Sequence, residues 1–340
     1  MCVCVCAHAC IIYAGLQAYF ILSGKYSGQQ DSYLSIIKSL VHSGIHLNIK
    51  VDIKWIEAES LEESMKKENN TKYEEAWTLM RSCAGIIVPG GFGTRGVEGK
   101  IAAARYARES KVPYLGICLG MQVMVIEYAR NVLGLSDATS AEFDKDRNSK
   151  NHVVVFMPEI DEKVMGGNMR LGARPTTVYR GNPANGLVSL AYDVYGINAE
   201  KETDNVFERH RHRYEVNPVY VSKFEANGLS FSGKDDKKER MEIAEIDRSE
   251  HPFYFGTQFH PEFKSRPNRP SPPFYAFIAT TCGALEELRK AGEMWQEHVF
   301  RKEESTSIPT SPLGKRVRSL TRIEEELAAD SLNSASKKMK

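Results

Sequence analysis

The residue best placed to act as a nucleophile in this sequence is Cys118. It lies at the centre of Gly116-Ile-Cys-Leu-Gly120, between an apolar run that predicts a strand and a run that predicts a helix. Glycines two residues on either side of a nucleophile are typical of a tight strand-to-helix turn, which strains the backbone and exposes the side chain above the sheet. The N–H groups and positive potential at the helix start would favour a thiolate. The alternative is a buried structural cysteine.

A thiolate nucleophile needs a base, and His260-Pro-Glu262 supplies a candidate. The tripeptide follows a predicted strand at 254–258, and residues two apart in an extended chain face the same way. Pro261 keeps His260 extended, so Glu262 can orient the imidazole while the imidazole exchanges a proton with Cys118. Taken by itself, the tripeptide also fits an ordinary surface histidine. Together with the glycine-flanked cysteine, it predicts a catalytic relay.

Acyl transfer also requires hydrogen-bond donors aimed at the oxyanion that develops during the reaction. The N–H of Leu119, which follows the nucleophile, is one candidate. The second donor should come from the loop at the end of another strand. Pro89-Gly-Gly-Phe-Gly93 ends the preceding predicted strand, and its glycines allow the backbone to approach a ligand closely. We assign Gly91 as this second donor.

Three other motifs suggest chemistry that their surroundings argue against. Gly91–Gly96 matches the G-x-G-x-x-G pattern of dinucleotide sites, but the next predicted strand ends in the cysteine turn and not in an acidic residue. Gly228–Lys234 resembles a phosphate-binding loop, but Asp235 replaces the Ser/Thr that would contact magnesium, and a hairpin loop explains it better. The Arg209–Tyr214 run has two histidines among three arginines, which would repel a metal ion. It fits either a solvated strand or a guanidinium site for a carboxylate.

Composition narrows the class of protein. The 340 residues are 42% hydrophobic and 26% charged, as in a globular protein with a sizeable core, and the formal net charge is +1. A near-neutral chain has no general attraction for nucleic acid or acidic membranes, so we expect neither as a partner. Seven cysteines, four of them in the first ten residues, do not form a secreted disulfide framework. We therefore expect a reducing, cytoplasmic compartment.

Residues 1–18 are interpreted as an atypical leader. Apart from His8 they contain no charged side chain, so a signal or membrane segment is an alternative. However, no basic segment precedes the apolar run, and no small-residue cleavage site follows it. The alternating cysteines suggest a metal tract, but the usual zinc knuckle has two residues between its ligands, and we expect no metal site.

The next part of the chain alternates between predicted strands and helices. The strands are predicted at 18–22, 49–55, 84–88 and 112–117. The helices are predicted at 34–41, 59–81 with an interruption at Asn69-Asn70, 101–109 and 121–132. The first helix has its apolar positions at Leu34, Ile37, Leu40 and Val41. Short apolar strands separated by helices predict an α/β fold with a parallel sheet covered on both faces.

After residue 150 the pattern becomes rich in strands. These are predicted at 153–156, 176–179, 220–224, 241–246 and 254–258, and a closing helix is predicted at 274–300. Residues 301–340 are rich in Ser, Lys, Arg and Glu, a composition that cannot bury a core, and are predicted to form a disordered tail. One domain would therefore span residues 19–300.

Several of these stretches resemble a known family. The motifs at 116–122, 89–93 and 260–262 are similar to those of class I glutamine amidotransferases. Longer stretches resemble CTP synthases in particular, and these are Gly24–Tyr26 with Asp31–Ser35, Gly93–Gly99, Met169–Gly172 and Glu208–Asn217. The resemblance covers about 19–300. It implies a flavodoxin-like α/β three-layer sandwich with a mostly parallel central sheet and a nucleophile elbow at Cys118.

The resemblance also implies a role for each site residue. The catalytic triad would be Cys118, His260 and Glu262. The glutamine pocket would be formed by Gly91, Phe92, Leu119, Gln122, Glu142 and Arg213. Glu142 suits the α-ammonium of glutamine and Arg213 its α-carboxylate. A γ-glutamyl thioester would form on Cys118, release ammonia and be hydrolysed by water, without a cofactor.

Two further features of the family concern regulation and partners. GTP is its allosteric activator, and the resemblance assigns Gly99 and Arg170 to the lid that responds to GTP. Ala173 and Pro175 depart from the pattern expected there, which bears on the GTP response and not on hydrolysis. The N-terminal amidoligase domain of the family, where ATP, magnesium and UTP act, has no counterpart in the residues that match. We therefore expect this chain to perform only the glutaminase step, with an amidoligase domain or a full-length synthase as its partner.

Two other functions fit the same residues. One is a catalytically idle regulatory or assembly module of full-length CTP synthase. The other is an amidotransferase or γ-glutamyl hydrolase that works with a different partner.

Overall fold

The computed structural model describes residues 16–22, 30–144, 146, 148–157, 169–182, 187–198 and 200–284, with the backbone alone described at 16–22, 30–31, 182 and 187–188. The described residues all fall in one compact unit of the chain. The predicted tail and residues 1–15 of the predicted leader lie outside them.

The strands, in chain order, are β1 Leu16–Leu22, β2 Ile49–Trp55, β3 Ile86–Val88, β4 Tyr114–Ile117, β5 Thr139–Ser140, β6 His152–Phe156, β7 Arg170–Tyr179, β8 Gly181–Asn182, β9 Leu187–Val188, β10 Thr203–His212, β11 Tyr214–Val216, β12 Leu229–Asp235, β13 Met241–Ile246 and β14 Tyr254–Thr257. The helices are α1 Leu34–Leu47, α2 Glu63–Glu68, α3 Asn70–Arg81, α4 Val97–Glu109, α5 Leu119–Asn131, α6 Leu190–Val194, α7 Pro218–Glu225 and α8 Pro272–Thr281. Short 3₁₀ turns span Gln30–Tyr33, Ala58–Leu61 and Pro261–Lys264.

Nine of the described strands form one mixed sheet in the order β10-β7-β12-β13-β14-β4-β3-β1-β2. The strands β2, β1, β3, β4 and β14 run parallel to one another. From β14 to β10 every pairing is antiparallel. The predicted α/β fold is confirmed, with the cysteine turn in the parallel half and the strand-rich second part of the sequence in the antiparallel half.

Helices cover both faces of the parallel half, which gives three layers. On one face lie α4 and α5, and the hydroxyl of Tyr254 points into this layer, where it donates to the carbonyl of Ala104 at 3.2 Å. On the other face lies α8, where the rings of Phe253 and Phe277 have centroids 5.9 Å apart. Strands β3, β4 and β14 are buried at every position, as expected for apolar strands between two helical layers.

The first helix is present as predicted, but of its four predicted apolar positions only Leu40 is fully buried. Leu34 and Val41 are 45% and 42% exposed, whereas Ser43 and Gly44 are buried. A Cβ atom at Gly44 would lie 2.7 Å from the carbonyl oxygen of Ile49. Small residues therefore let α1 approach β2 closely, and apolar spacing does not report this kind of packing.

The predicted strand at 220–224 is wrong, because these residues lie in α7. The side chain of Asn217 caps this helix by accepting a hydrogen bond from Val219 N–H at 3.1 Å, and Pro218 occupies its first turn. Asn and Pro at these positions are helix-start signals. Phe224 is the buried residue of α7, and its packing holds the helix in place. The other apolar side chains of this segment fit a strand pattern, which explains the wrong prediction.

The boundaries of three other elements also differ from the prediction. Strand β1 begins at Leu16, inside the segment interpreted as a leader. Strand β7 begins at Arg170, well before the predicted start at 176. Helix α8 ends at Thr281, followed by Gly283 with φ +74°, so the continuous helix predicted for 274–300 is wrong at this point. Residues 285–300 lie outside the described residues.

The apparent phosphate-binding motif at 228–234 lies almost entirely in strand β12, and the charged residues after it form the predicted hairpin turn to the antiparallel strand β13. The carboxylate of Asp235 closes the turn by accepting hydrogen bonds from the N–H groups of Glu239 and Arg240 at 2.8 and 3.1 Å. Within the part of the chain that the structure describes, no helix is both long enough and apolar enough to cross a membrane.

Candidate active site

Cys118 lies at the junction of β4 and α5, at the carboxyl edge of the parallel strands. Its backbone has φ +53° and ψ −101°, a conformation that residues with a side chain rarely adopt. A Cβ atom at Gly116 would lie 2.7 Å from the carbonyl of Gly120, and one at Gly120 would lie 1.9 Å from the carbonyl oxygen of Val88. Both flanking positions therefore require glycine, and the strained turn inferred from their spacing is present.

His260 lies beside Cys118, and both side chains border Gly90. A Cβ atom at Gly90 would lie 2.9 Å from His260 Cε1 and 3.4 Å from Cys118 Cβ. On the other side of the ring, His260 Nδ1 is 2.9 Å from Glu262 Oε1. The structure thus brings the three predicted triad residues together in the order cysteine, histidine, carboxylate.

Charge favours the protonated form of the histidine. Burial by itself would lower the pKa of His260, but the negative charges of Glu262 and of Cys118 as a thiolate raise it well above its usual range. Because Nδ1 faces Glu262, the proton exchanged with the sulfur is the one on Nε2. Among the described residues this Nε2 has no hydrogen-bond partner, which leaves it available to Cys118.

The turn that contains His260 is fixed to the edge strand β10. The N–H of His260 donates to the carbonyl of Arg209 at 2.8 Å, and the ammonium group of Lys264 donates to the carbonyl of Phe207. Two attachments on either side of Glu262 hold the base and its carboxylate in place relative to β10.

The two proposed oxyanion donors lie next to each other. Leu119 is the first residue of α5, where backbone N–H groups have no partner within their own helix. A Cβ atom at Gly91 would lie 3.4 Å from Leu119 Cδ2. The glycine loop after β3 and the start of α5 therefore meet beside Cys118, which places both residues assigned as oxyanion donors next to the nucleophile.

A cavity of about 390 Å³ opens in front of Cys118. Of the six predicted pocket residues, five line it, and these are Gly91, Phe92, Gln122, Glu142 and Arg213. The sixth, Leu119, contacts Gly91. The other side chains around the cavity are Met169, Arg211, His212 and Tyr214.

Opposite charges line this cavity. Burial raises the pKa of Glu142, against the lowering effects of a 3.0 Å hydrogen bond from Gly93 N–H and of the charges on Lys100 and Arg213. The Nε of Arg213 is buried and has no hydrogen-bond partner among the described residues. A carboxylate and a guanidinium in one cavity complement the ammonium and carboxylate of an amino acid.

The alternation of β10 explains its unusual sequence. Arg209 and Arg211 are exposed, while His210 and His212 are buried. His212 Nδ1 lies 3.0 Å from the carbonyl of Tyr214 and must donate to it, so His212 Nε2 accepts from His210 Nδ1 at 3.2 Å. Burial lowers the pKa of His210 to about 2 and that of His212 to about 3. Both rings are therefore neutral, and His212 contributes an uncharged side chain to the cavity wall.

Neither predicted lid residue lies in the cavity wall. Gly99 lies in α4, where a Cβ atom would come 1.8 Å from the carbonyl oxygen of Ala58, so it permits close packing. Arg170 Nη2 donates to Glu242 Oε1 at 2.8 Å, which ties the start of β7 to β13. Residues 158–168, which precede Arg170, lie outside the described residues. The lid role of both residues stays a prediction.

Sequence reasoning missed Gln258, which lies directly behind the nucleophile. Its side-chain amide is 3.6 Å from Cys118 Sγ, and only 1% of the residue is exposed. Strand β14 ends at Thr257, so Gln258 lies in the bend between this strand and His260, and the alternation of side chains along a strand does not indicate its contact with Cys118. Met169 and Tyr214 were missed as lining residues, since they reach the cavity from the residue before β7 and from β11 through long-range packing.

The chain matches the family model described as Glutamine amidotransferase class-I over residues 29–280. Together with the fold and the arrangement around Cys118, this match shows that the chain belongs to the class I glutamine amidotransferase family.

Within that family the chain is similar to CTP synthases. It is 50% identical over 273 residues to the CTP synthase of Schizosaccharomyces pombe and 49% identical over 267 residues to CTP synthase 1 of Saccharomyces cerevisiae. These alignments cover 80% and 78% of this chain but 43% and 44% of the relatives, so the chain spans less than half the length of the curated relatives it matches.

A solved structure covers the same part of the chain. The glutaminase domain of Trypanosoma brucei CTPS, with bound acivicin, is 39% identical and aligns with a TM-score of 0.66 over 77% of this chain and 93% of that one. The predicted resemblance to the glutaminase domain of CTP synthase is thereby confirmed.

Proposed function

We propose that this chain hydrolyses L-glutamine to L-glutamate and ammonia at Cys118, as the glutaminase part of a CTP synthase. The observation that carries the proposal is the arrangement of Cys118 on a strained turn, beside an imidazole that Glu262 polarises, at the base of a cavity lined by Glu142 and Arg213. Each part supports one requirement of amide hydrolysis.

The first half of the reaction forms a thioester. The Cys118 thiolate attacks the carboxamide carbon of glutamine, and the electron pair of the C=O bond moves to its oxygen, which Gly91 and Leu119 N–H groups stabilise. His260 gives its Nε2 proton to the amide nitrogen. The C–N bond then breaks, ammonia leaves, and a γ-glutamyl thioester remains on Cys118.

The second half consumes one water molecule. His260, now neutral, takes a proton from water as the oxygen attacks the thioester carbon. The C–S bond breaks, glutamate leaves, and the thiolate faces a protonated His260 again. Glu262 stabilises the imidazolium at the start and the end of the cycle.

The cavity selects a free amino acid. The carboxylate of Glu142 would bind the α-ammonium, and the guanidinium of Arg213, whose Nε has no partner in the described part of the chain, would bind the α-carboxylate. This places the side-chain carboxamide toward Cys118. A γ-glutamyl peptide has the same glutamyl end but a larger leaving group, so a comparison of glutamine with γ-glutamyl substrates separates a glutaminase from a γ-glutamyl hydrolase.

Ammonia release from glutamine tests the proposal. Cys118→Ala should lower the rate by a factor of at least about 10³, because no other nucleophile replaces the thiolate. Cys282→Ala, at a free cysteine of α8's carboxyl end, is the matched control and should keep the wild-type rate. Full activity in Cys118→Ala would overturn the proposal. A folded wild-type chain that releases no ammonia but binds CTP synthase would favour the regulatory module instead.

We propose that the ammonia is used to make CTP, because the relatives are named CTP synthases. We assign the binding of ATP, magnesium and UTP to an amidoligase domain. The combined reaction of the two parts would produce CTP, and we place it in the cytoplasm. Mixing this chain with a full-length synthase whose own glutaminase cysteine is replaced should restore glutamine-dependent CTP formation if the two associate. Added GTP should accelerate ammonia release if Gly99 and Arg170 belong to a GTP-responsive lid.

A further inference from the structure

We propose that the side-chain amide of Gln258 is a hydrogen-bond donor to the sulfur of Cys118, and that Gln122 fixes the direction of that amide. This inference deepens the proposed function and rests on it for the role of Cys118 as the nucleophile. It assigns to a buried residue outside the triad and the cavity wall a direct contact with the reacting atom.

The geometry forms one continuous chain of contacts from the cavity wall to the sulfur. Gln122 Nε2 is 3.1 Å from the carbonyl oxygen of Tyr214 and 3.2 Å from Gln258 Oε1. Gln258 Nε2 is in turn 3.6 Å from Cys118 Sγ, a normal distance for a hydrogen bond to sulfur. Gln122 and Gln258 are 3% and 1% exposed, so water does not compete for these contacts.

The direction of this chain does not depend on how the amide oxygen and nitrogen atoms are assigned. A backbone carbonyl only accepts hydrogen bonds, so the group that Gln122 presents to Tyr214 must be its NH₂. The same NH₂ faces Gln258, which must therefore present its oxygen to Gln122. The nitrogen of Gln258 is left facing Cys118.

Two chemical consequences follow from this direction. A donor at the sulfur stabilises the thiolate more than the thiol, because hydrogen bonds to charged acceptors are the stronger ones. In addition, both hydrogens of the Gln122 amide are used, so Gln122 can offer only its oxygen to the cavity. It would then accept a hydrogen bond from the ammonium or carboxamide N–H of the substrate.

The test is the pH dependence of Cys118 alkylation by iodoacetamide, followed by mass spectrometry of the peptide that contains Cys118. This readout follows thiolate formation and needs no turnover of glutamine. Gln258→Met, which keeps the unbranched shape but removes the donor, should move the alkylation midpoint up by about one pH unit. Thr257→Val, at the buried neighbour whose hydroxyl bonds Phe259, is the matched control and should not move it.

A second variant tests the role of Gln122. Gln122→Glu cannot donate to Gln258, so the Gln258 amide should turn its nitrogen away from the sulfur, and the midpoint should rise although Gln258 itself is unchanged. In the Gln258→Met background the same substitution should have a smaller effect if it acts through Gln258. An equal effect in both backgrounds would show a direct charge effect and overturn the assigned role of Gln122.

An unchanged midpoint in Gln258→Met, in protein that melts like the wild type, would overturn the assigned contact with Cys118. If Gln258→Met does not fold, the unchanged midpoint of Gln122→Glu would overturn it instead. If the wild-type chain releases no ammonia but Gln258→Met still shifts the alkylation midpoint, the proposed function is contradicted and the contact between Gln258 and Cys118 is supported.

Discussion

A Cβ atom at Gly120 would lie 1.9 Å from the carbonyl oxygen of Val88, a distance that no rotamer or small shift of a side chain can relieve. The helix that follows the nucleophile is thus packed directly onto the backbone of the neighbouring strand. The position of Cys118 relative to the glycine loop after β3 depends on this contact, because Val88 is the last residue of β3.

Replacing Gly120 should therefore damage both stability and the site. We expect Gly120→Ala to lower the free energy of unfolding by at least about 3 kcal/mol, since backbone atoms must move. Gly134→Ala is the control for backbone strain without steric crowding, because Gly134 has a φ of +72° but no atom within 4 Å of its Cβ position, whereas Gly120 lies in the helix α5. Gly134→Ala should cost about 1 kcal/mol of backbone strain. Chemical denaturation would measure both, and equal losses would contradict the packing argument.

Removing the charge of Glu262 should change the pH profile of ammonia release. Glu262 and the Cys118 thiolate together raise the pKa of His260, so the imidazolium persists to high pH. In Glu262→Gln the imidazole should lose its proton at lower pH, which moves the alkaline limb of kcat/KM to lower pH and lowers its maximum by about 100-fold.

Glu109→Gln serves as the control for Glu262→Gln, since Glu109 is a surface carboxylate at the end of α4. Its profile should overlay that of the wild type. A Glu262→Gln profile that falls in height without any shift of the alkaline limb would argue against an electrostatic role for the carboxylate.

Arg213 should govern the affinity for glutamine. A lysine at this position keeps the charge but loses the planar, two-pronged contact with a carboxylate. We expect Arg213→Lys to raise the KM for glutamine by about 10- to 100-fold with a smaller effect on kcat. Arg209→Lys, on the exposed face of the neighbouring strand β10, should leave both KM and kcat unchanged. Equal changes in the two variants would mean that the effect is not specific to the fork of Arg213, and would contradict its assignment to the substrate carboxylate.

Stability should fall as the pH rises above neutrality. Burial raises the pKa of Glu208 to about 8, and burial also raises those of Glu242 and Glu245 to about 7. In each case the folded state keeps a proton that the unfolded state has lost. The stabilisation is complete below the ordinary carboxyl pKa and is lost as the pH passes through 7 to 8.

Buried histidines do not oppose this trend above pH 6.5. Burial lowers the pKa of His210, His212 and His251 in the folded state, so their contribution is lost only as the pH falls below 6.5. The melting temperature should thus drop between pH 6.5 and 8.5, and Glu208→Gln should make that drop smaller. Glu109→Gln should show the wild-type drop. The same drop in all three proteins would contradict the buried-carboxyl explanation.

The parts of the site that short motifs encode could be predicted from the sequence. The spacing of Gly116 and Gly120 indicates a steric requirement that acts within a few residues. The apolar strands of the parallel half indicate that this part of the sheet is buried on both faces. The pair of His260 and Glu262 is also present, although in a 3₁₀ turn at Pro261–Lys264 and not in the predicted extended chain. These relationships need no knowledge of distant packing.

The remainder depends on contacts between distant parts of the chain. The start of β7 at Arg170 is set by its pairing with β10, and α7 is set by the Asn217 cap and the burial of Phe224 against an apolar pattern that also fits a strand. Gln258 gains its role only because the carbonyl of Tyr214 orients Gln122. Local propensity contains none of this information.

The attachment of the His260 turn to β10 has a consequence for the behaviour of the protein at high concentration. β10 is an outermost strand, and such strands present backbone groups on which another molecule can pair and start to aggregate. Here the carbonyls of Phe207 and Arg209 are already occupied by Lys264 and His260. The segment that contains His260 therefore also covers part of the exposed edge of the sheet. Mutations that detach this segment from β10 should reduce solubility as well as turnover.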